Sequence, residues 1–390
     1  MIKINDKTRC CGCLACVQKC PKQCITINQD IEGFLYPITN EDQCIDCGLC
    51  EKVCPIINPY NPQKPNSVIA AKNNNDEIRL NSSSGGVFFL FAEKTINNGG
   101  VVFGACYDSE WKVIHSFAER IEDIQRFLGS KYVQSFIGNS YQQAEKFLKS
   151  GREVLFSGTP CQISGLLHYL GRHYENLITV DVLCHGVPSP LLWKDYVEYI
   201  AKSNGFPSKD ITSISFRSKR LGWKRFGLEI CARGNNGYFQ HLGNDAYLQG
   251  FLKNLSLRPS CYHCAARCGR SHSDISIGDF WGVKKHFQSF DDDKGVSVVL
   301  INTSKGQLIY NTITSVSHQG NYEMVLEGNP VLEKSVQEPI LREVFWKTFS
   351  TAGINGVVNF MEDLKPKGIK KIIVKTKEMT KSFFNHIGLK

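Results

Sequence analysis

The 390-residue chain lacks any apolar run approaching the roughly 18 residues that a membrane span requires. Its first residues, MIKINDKTRCC, contain no apolar stretch of the kind found in secretory signals. Both absences lead to the expectation of a cytoplasmic protein. The body of the chain also carries little charge of one sign. The formal net charge is +9, but residues 365–390 hold eight Lys against one Glu, which accounts for +7 of it. The remainder is nearly neutral, and a nucleic-acid-binding function has no broad basic surface to rest on.

Cysteine is what the chain has in excess, with 17 residues, ten of them within the first 54. A reducing cytosol disfavours structural disulfides, so thiols in this number point to metal binding or redox chemistry. With 42% apolar and 21% charged residues, a chain of this length can bury a sizeable core in roughly two or three domains.

Two cysteine runs share one spacing. Cys10, Cys13, Cys16 and Cys20 precede Pro21, and Cys44, Cys47, Cys50 and Cys54 precede Pro55. Each is C-x2-C-x2-C-x3-C-P, the signature of bacterial two-cluster ferredoxins. There a tight loop supplies three corners of an iron-sulfur cube, and the fourth cysteine crosses to the other cube. The spacing predicts one 4Fe-4S cluster on Cys10, Cys13, Cys16 and Cys54 and another on Cys44, Cys47, Cys50 and Cys20. A pair of zinc sites is the alternative, since four-thiolate zinc sites also use C-x2-C pairs, but zinc has no use for the third cysteine at the same spacing. Cys11 and Cys24 fall outside the repeat and read as small residues packed near the clusters. Between the runs, alternating apolar and polar residues around Glu32 and Gly33 predict a short hairpin.

After Cys54 the stretch PIINPYNPQKPNS, with four prolines and three asparagines in thirteen residues, reads as a linker. Downstream the pattern turns mixed: residues 99–107, 152–158 and 176–184 read as buried strands, 140–150 and 162–172 as helices, and 211–241 as antiparallel strands with GNNG as a turn. The predicted class is α+β, an N-terminal two-cluster ferredoxin-like domain followed by a mixed α/β domain. Cys161 and Cys184 each follow an apolar strand, in loops leading to helices, where open α/β sheets commonly carry their sites. Cys261, Cys264 and Cys268 form a third group, C-x2-C-x3-C, which needs at least one ligand from elsewhere; Cys161 and Cys184 are the candidates. A zinc knuckle with His263 or His272 is one alternative for this group, and a Cys–His nucleophile at Cys161 or Cys184 is another. Cys106 and Cys231 lie within strand patterns and are expected in the core.

The order of ferredoxin-type region, SSSGGVF, GSKYVQS, SGTPCQISGL, CHGVPSP, FRSKRLGW and RPSCYHC with SDISIGDFWG resembles the coenzyme F-420 hydrogenase/dehydrogenase beta-subunit family over roughly residues 1 to 300. The resemblance implies a flavoprotein with 4Fe-4S clusters that passes electrons between iron-sulfur carriers and a small-molecule hydride acceptor, a deazaflavin coenzyme in the archaeal members. It implies a third 4Fe-4S cluster on Cys161, Cys184, Cys261 and Cys264, with Cys268 as the alternative ligand, and bound FAD. Bacterial relatives are associated with surface-polysaccharide synthesis, which makes an activated sugar one candidate substrate. A ferredoxin-like or other redox partner is expected, and the rival reading is an electron-carrier subunit without its own substrate. The implied organisation is a two-cluster domain at 1–60, a linker at 61–67, a flavin and iron-sulfur domain at 68–345 and a basic segment at 346–390.

In NSSSGGVFFLFAEK a small polar turn runs into a helix, so Ser83, Ser84, Gly85 and Gly86 could bring backbone N–H groups to the FAD pyrophosphate, or simply cap the helix. Lys131 and Tyr132 are further candidates, a cation for phosphate and a ring for the isoalloxazine. Arg217, Lys219, Arg220, Trp223, Lys224 and Arg225 form either an anion-binding surface or a solvated hairpin with one core Trp, and Asp279 either faces the cofactor or makes a turn. The basic C-terminal residues, interleaved with Ile, Val, Phe and Leu, read as a surface helix touching acidic membrane or protein, or as a solvated tail.

Overall fold

The computed structural model describes residues 1–365, so 366–390, most of the basic C-terminal segment, lie outside the described residues. Near the N-terminus, β1 (Ile25–Gln29) and β2 (Leu35–Thr39) pair antiparallel, as the alternation predicts. The Asp30 carboxylate closes the turn by accepting from the backbone N–H groups of Glu32 and Phe34.

The larger part is built on a mixed sheet. β3 (Ser67–Lys72), β4 (Val101–Tyr107), β5 (Val113–Ala118), β6 (Val154–Gly158) and β7 (Leu177–Val182) belong to it. β8 (Ile211–Ser218), β9 (Gly227–Ala232) and β10 (Gly237–His241) form a separate antiparallel sheet in which the GNNG stretch links the last two. β11 (Ile275–Asp279), β12 (Ser297–Ile301) and β13 (Val316–Gly320) return to the first, giving the eight-strand order β13-β3-β12-β11-β7-β6-β4-β5. Parallel pairings join β4, β6, β7 and β11 at the centre. In β4, β6 and β7 the apolar residues run on without alternating, because both faces are covered. Phe103, Val154 and Phe156 pack toward the helices Ser140–Lys149 and Pro160–Leu170, while Val102, Leu155 and Ile178 pack toward the helix Val87–Asn97.

The small sheet buries Phe216, Leu228 and Ile230 against the helices Pro190–Ser203, Ala246–Leu252 and Arg342–Asp363, and Phe34 and Tyr36 of the N-terminal hairpin join that core. The expected boundary at 345/346 therefore falls inside a helix, whose Phe345, Trp346 and Phe349 are buried. Cys106 is buried, but Cys231 is exposed, contrary to expectation, because β9 turns it away from the face that buries Leu228 and Ile230. Among the described residues no helix is long and apolar enough to cross a membrane.

The proline-rich linker is fastened down. The Tyr60 ring lies between His168 and His272, and the Gln63 backbone N–H donates to the Cys268 carbonyl. The cysteine-bearing N-terminal unit is docked on the body by side chains from both. Arg342 forks onto the Glu32 carboxylate at 2.8 and 2.5 Å, the Gln134 amide donates to the Cys11 carbonyl, and Lys19 donates to the Tyr169 carbonyl. At Gly33, φ is +85° and a Cβ would collide with Leu191 and stand 2.7 Å from the Ser189 hydroxyl. Gly33→Ala should cost about 2 kcal/mol through strain and clash, lowering the thermal midpoint by roughly 5 °C in a melt followed by circular dichroism. An unchanged midpoint would contradict this docking contact.

Candidate metal centre

The loops that carry the N-terminal thiols turn tightly, with left-handed backbone at Gly12, Leu14 and Gly48 ahead of the short helices Ala15–Lys19 and Leu49–Lys52. Cys54, distant in sequence, is folded back among the first run. Burial pushes the Cys16 thiol up to about 12, and the neighbouring Cys10, Cys54 and Cys50 add to the effect. Cys13 is likewise within reach of Cys16 and Cys54. The second run closes round a different space. Cys20, Cys24, Cys44, Cys47 and Cys50 line one small pocket together with Ile25 and Thr39. Cys24, outside the repeat, stands with its sulfur 3.4 Å from that of Cys20. Cys47 is exposed, so this set faces solvent.

In the body, Cys161 sits in the first turn of the helix Pro160–Leu170 rather than in the preceding loop, because Thr159 and Gln162 form a capping box that starts the helix one residue earlier. Cys184 follows β7, and Cys261 and Cys264 bracket the end of the turn Pro259–His263. Cys184 interacts with Cys261, Cys161 and Cys264, and burial raises its thiol well above the ordinary value. Burial also pushes Cys261 up to about 12, with Cys264 adding to it. The Cys268 backbone is left-handed (φ 58°) and its thiol is directed to the Glu333 carbonyl at 3.6 Å. Cys268 shares the lining of a small pocket with Cys184, Asp181 and Arg267.

Raised thiol pKa values mean that these buried sulfurs resist ionising beside one another unless a cation compensates. All-sulfur sets of this kind suit iron-sulfur clusters, whose iron holds the ligands as thiolates. Among the described residues, no three His, Cys, Asp or Glu side chains stand close enough together to grip a single metal ion.

The first N-terminal set and the body set meet. The Cys11 thiol interacts with both Cys13 and Cys161, and it is raised first by its contact with Cys13 and then by burial. The approach is close because residue 165, in the helix carrying Cys161, is glycine: a Cβ there would lie 2.9 Å from the Cys13 Cβ. The repeat gave no hint of this role for Cys11; the adjacent cysteine pair Cys10-Cys11 was the only signal.

The residues singled out for a flavin divide into two groups. Ser83 accepts from the Ser130 hydroxyl at 2.8 Å, and its carbonyl faces Arg217 at 3.4 Å. Arg217 is 4% exposed, pairs with Asp279 at 3.0 Å and reaches the Tyr132 hydroxyl at 3.3 Å, while its Nε is a buried donor without a partner. Trp223 is buried, donates to Asp279 and stacks on Trp281 at 4.9 Å. Ser83, Tyr132, Arg217, Trp223 and Asp279 thus form one cluster. Ser84, Gly85, Gly86 and Lys131 are committed elsewhere. The Ser84 hydroxyl donates to the Val296 carbonyl and the Gly85 N–H to Ser297, and a Cβ on Gly85 would stand 2.5 Å from the Ala71 carbonyl, so this glycine serves close packing on β3 and β12. Gly86, with φ +77°, starts the helix Val87–Asn97. Lys131 donates to the carbonyls of Arg126 and Leu128, and burial depresses its amine to about 7. The basic stretch splits too: Lys219 turns inward onto the carbonyls of Arg79, Ser84 and Lys294, whereas Arg220 and Lys224 are exposed.

Residues 151–322 match the family model for the C-terminal part of the coenzyme F420 hydrogenase/dehydrogenase beta subunit, and residues 9–56 match "4Fe-4S dicluster domain". Coenzyme F420-dependent sulfite reductase of Methanocaldococcus jannaschii is 22% identical over 327 residues, 80% of this chain and 47% of that protein. A ferredoxin of Rickettsia felis is 39% identical over 62 residues, 15% of this chain and 52% of the ferredoxin. The chain spans about half the length of these curated relatives. Among solved structures, a chain of the F420-reducing NiFe hydrogenase complex from Methanosarcina barkeri is similar at a TM-score of 0.45 and 17% identity, over 80% of this chain and 96% of that one.

Asp181, which sequence reasoning did not single out, is 3% exposed on β7 with one carboxylate oxygen unpartnered. Burial raises it to about 6, against the pull of the Ser271, Ser276 and Ser273 hydroxyls. The folded chain thus holds a proton that the unfolded chain releases at lower pH, so stability falls as pH rises through that window and the penalty is complete above it. Asp181→Asn should stabilise the protein by on the order of 2 kcal/mol at pH 8. In thermal melts the gain should shrink as pH is lowered toward about 5.5; a gain independent of pH would refute the buried charge.

Proposed function

Because residues 151–322 match the family model for the C-terminal part of the coenzyme F420 hydrogenase/dehydrogenase beta subunit and residues 9–56 match a 4Fe-4S dicluster domain, we propose that the chain is an iron-sulfur flavoprotein oxidoreductase. In this reading it takes single electrons from a ferredoxin-like or other redox partner and delivers a hydride to a small molecule. The acceptor class is a deazaflavin-like coenzyme or a biosynthetic intermediate, an activated sugar among the candidates. The carrying observation is the interaction of Cys11 with both Cys13 and Cys161, which joins the first N-terminal thiol set to the body set.

Bound clusters supply one-electron transfer, and a bound flavin joins it to two-electron hydride chemistry. In this reading the chain provides ligands, order and insulation. Cys20, Cys44, Cys47 and Cys50 would hold the outermost cluster, near the exposed Cys47 where a partner can approach. Cys10, Cys13, Cys16 and Cys54 would hold the next, and Cys161, Cys184, Cys261 and Cys264 the third. Cys261 and Tyr132 pack on one apolar group that includes Phe251 and Leu257. Ser83, Tyr132 and Arg217 fit FAD best, since the buried, unpartnered Arg217 Nε is a donor suited to an anionic or carbonyl oxygen.

Protein purified without oxygen should contain about twelve irons and about one FAD per chain. About eight irons without flavin would replace this reading with the electron-carrier one.

Ligand substitutions test the sets. Cys264→Ala should lose about four irons while the N-terminal signals persist in electron paramagnetic resonance. Cys268→Ala should keep them all, and iron loss in that variant would overturn the assignment of Cys184 over Cys268. Cys54→Ala should damage the cluster of the first run despite its place in the second; intact spectra would refute the crossed ligation.

A further inference from the structure

Arg258 is completely buried, with 0% exposure, three residues before Cys261. Its guanidinium leaves the body and enters the N-terminal unit. Nε donates to the Cys10 carbonyl at 2.7 Å, Nη1 to the Gln134 side chain at 2.9 Å, and Nη2 to the Leu35 carbonyl at 3.0 Å. Nη2 also points at the Cys10 sulfur, 3.6 Å away. The Tyr36 ring lies 4.2 Å from the guanidinium carbon, and a Cβ on Gly12 would stand 3.0 Å from Nη1, so the group is enclosed on several sides.

Among the described residues no carboxylate forms an ion pair with Arg258, whereas the buried Arg79, Arg217 and Arg342 each have one; the buried Arg267, beside Cys184, likewise meets only carbonyls. A buried charge without a counter-charge is expensive, and neutral carbonyls compensate it only in part. What the structure sets around it is sulfur. Cys10 is in direct reach, and on the body side the Arg258 carbonyl accepts from the Cys261 N–H at 2.9 Å, which seats the arginine in the same turn as that ligand. Four thiolates around an iron-sulfur cube leave a net negative charge, so the missing anion is supplied from two sides once both sets are loaded.

We infer that Arg258 is the shared counter-ion of the Cys10–Cys13–Cys16–Cys54 set and the Cys161–Cys184–Cys261–Cys264 set, a positioning residue that raises the reduction potential of the clusters held there. The inference rests on the cluster reading above. Net charge and hydrogen bonds to sulfur are established levers on cluster potential, and a cation with an N–H aimed at a ligand sulfur uses both in the direction that favours the reduced state. A purely structural tie between the two units would use the same carbonyl contacts but would not move a potential.

The test is a redox titration of the anaerobically purified full chain, followed by electron paramagnetic resonance, on wild type, Arg258→Met and Gln134→Glu. Arg258→Met removes the charge and all the side-chain donors. Gln134→Glu keeps the arginine and sets a carboxylate against it. Each variant should lower the midpoint of at least one cluster by about a tenfold change in its equilibrium constant, about 59 mV for one electron, with iron content at the wild-type level in Gln134→Glu. If Arg258→Met loses iron because the units separate, Gln134→Glu alone decides. Unmoved midpoints in Gln134→Glu, or iron loss from it, would overturn the inference while leaving the cluster assignment in place. A wild-type chain that holds no iron would instead defeat the cluster reading, and this inference with it.

Discussion

The structure turns on packing the thiols of the first N-terminal run against the helix that carries Cys161. Single-electron transfer needs closeness, and closeness here is a packing problem. The loop around Cys11 and Cys13 must lie on the helix that carries Cys161, and it can do so because Gly165 leaves no side chain in the way. Gly33 plays the same part at the hairpin, where the N-terminal unit meets the Ser189–Leu191 turn. Glycine at these points exchanges conformational entropy for approach distance.

Charge is handled differently in the two halves of the site. Near Asp279 the buried guanidinium of Arg217 has its carboxylate, and Trp223 and Tyr132 complete the hydrogen bonding, so the cluster is nearly self-sufficient. Near the sulfurs, Arg258 has no carboxylate to pair with, and the thiols carry raised pKa values that oppose ionisation. The two imbalances have opposite signs and are relieved together when metal-bound thiolates stand beside the arginine. Arg342 fastens Glu32 of the hairpin to the body.

Much of the local structure was legible in the sequence. The hairpin around Gly33, the parallel strands with their unbroken apolar runs and the GNNG link all follow from short-range pattern, which is where period and turn chemistry act. Reading failed where one residue could serve two masters. The SSSGG turn has the composition of a phosphate loop, yet Gly85 is there to let β3 and β12 close in, and its N–H is already taken by Ser297. Lys131 looked like a phosphate cation and is folded back onto the carbonyls of its own loop. Cys231 has a strand's apolar company, but only the pairing of β9 decides which of its faces meets solvent.

The sequence by itself determined the grouping of thiols within each N-terminal run, because three cysteines at two-residue intervals act through a loop only a few residues long. It also carried the resemblance to a known family, through short motifs in a particular order. Only the tertiary structure brings Cys184 to Cys161, Cys261 and Cys264, sets Cys11 between Cys13 and Cys161, and carries Arg258 from one unit to the other. Those outcomes depend on strand order in the sheet and on which charges lose their water. Both are sums over residues far apart in the chain, and no local spacing records them.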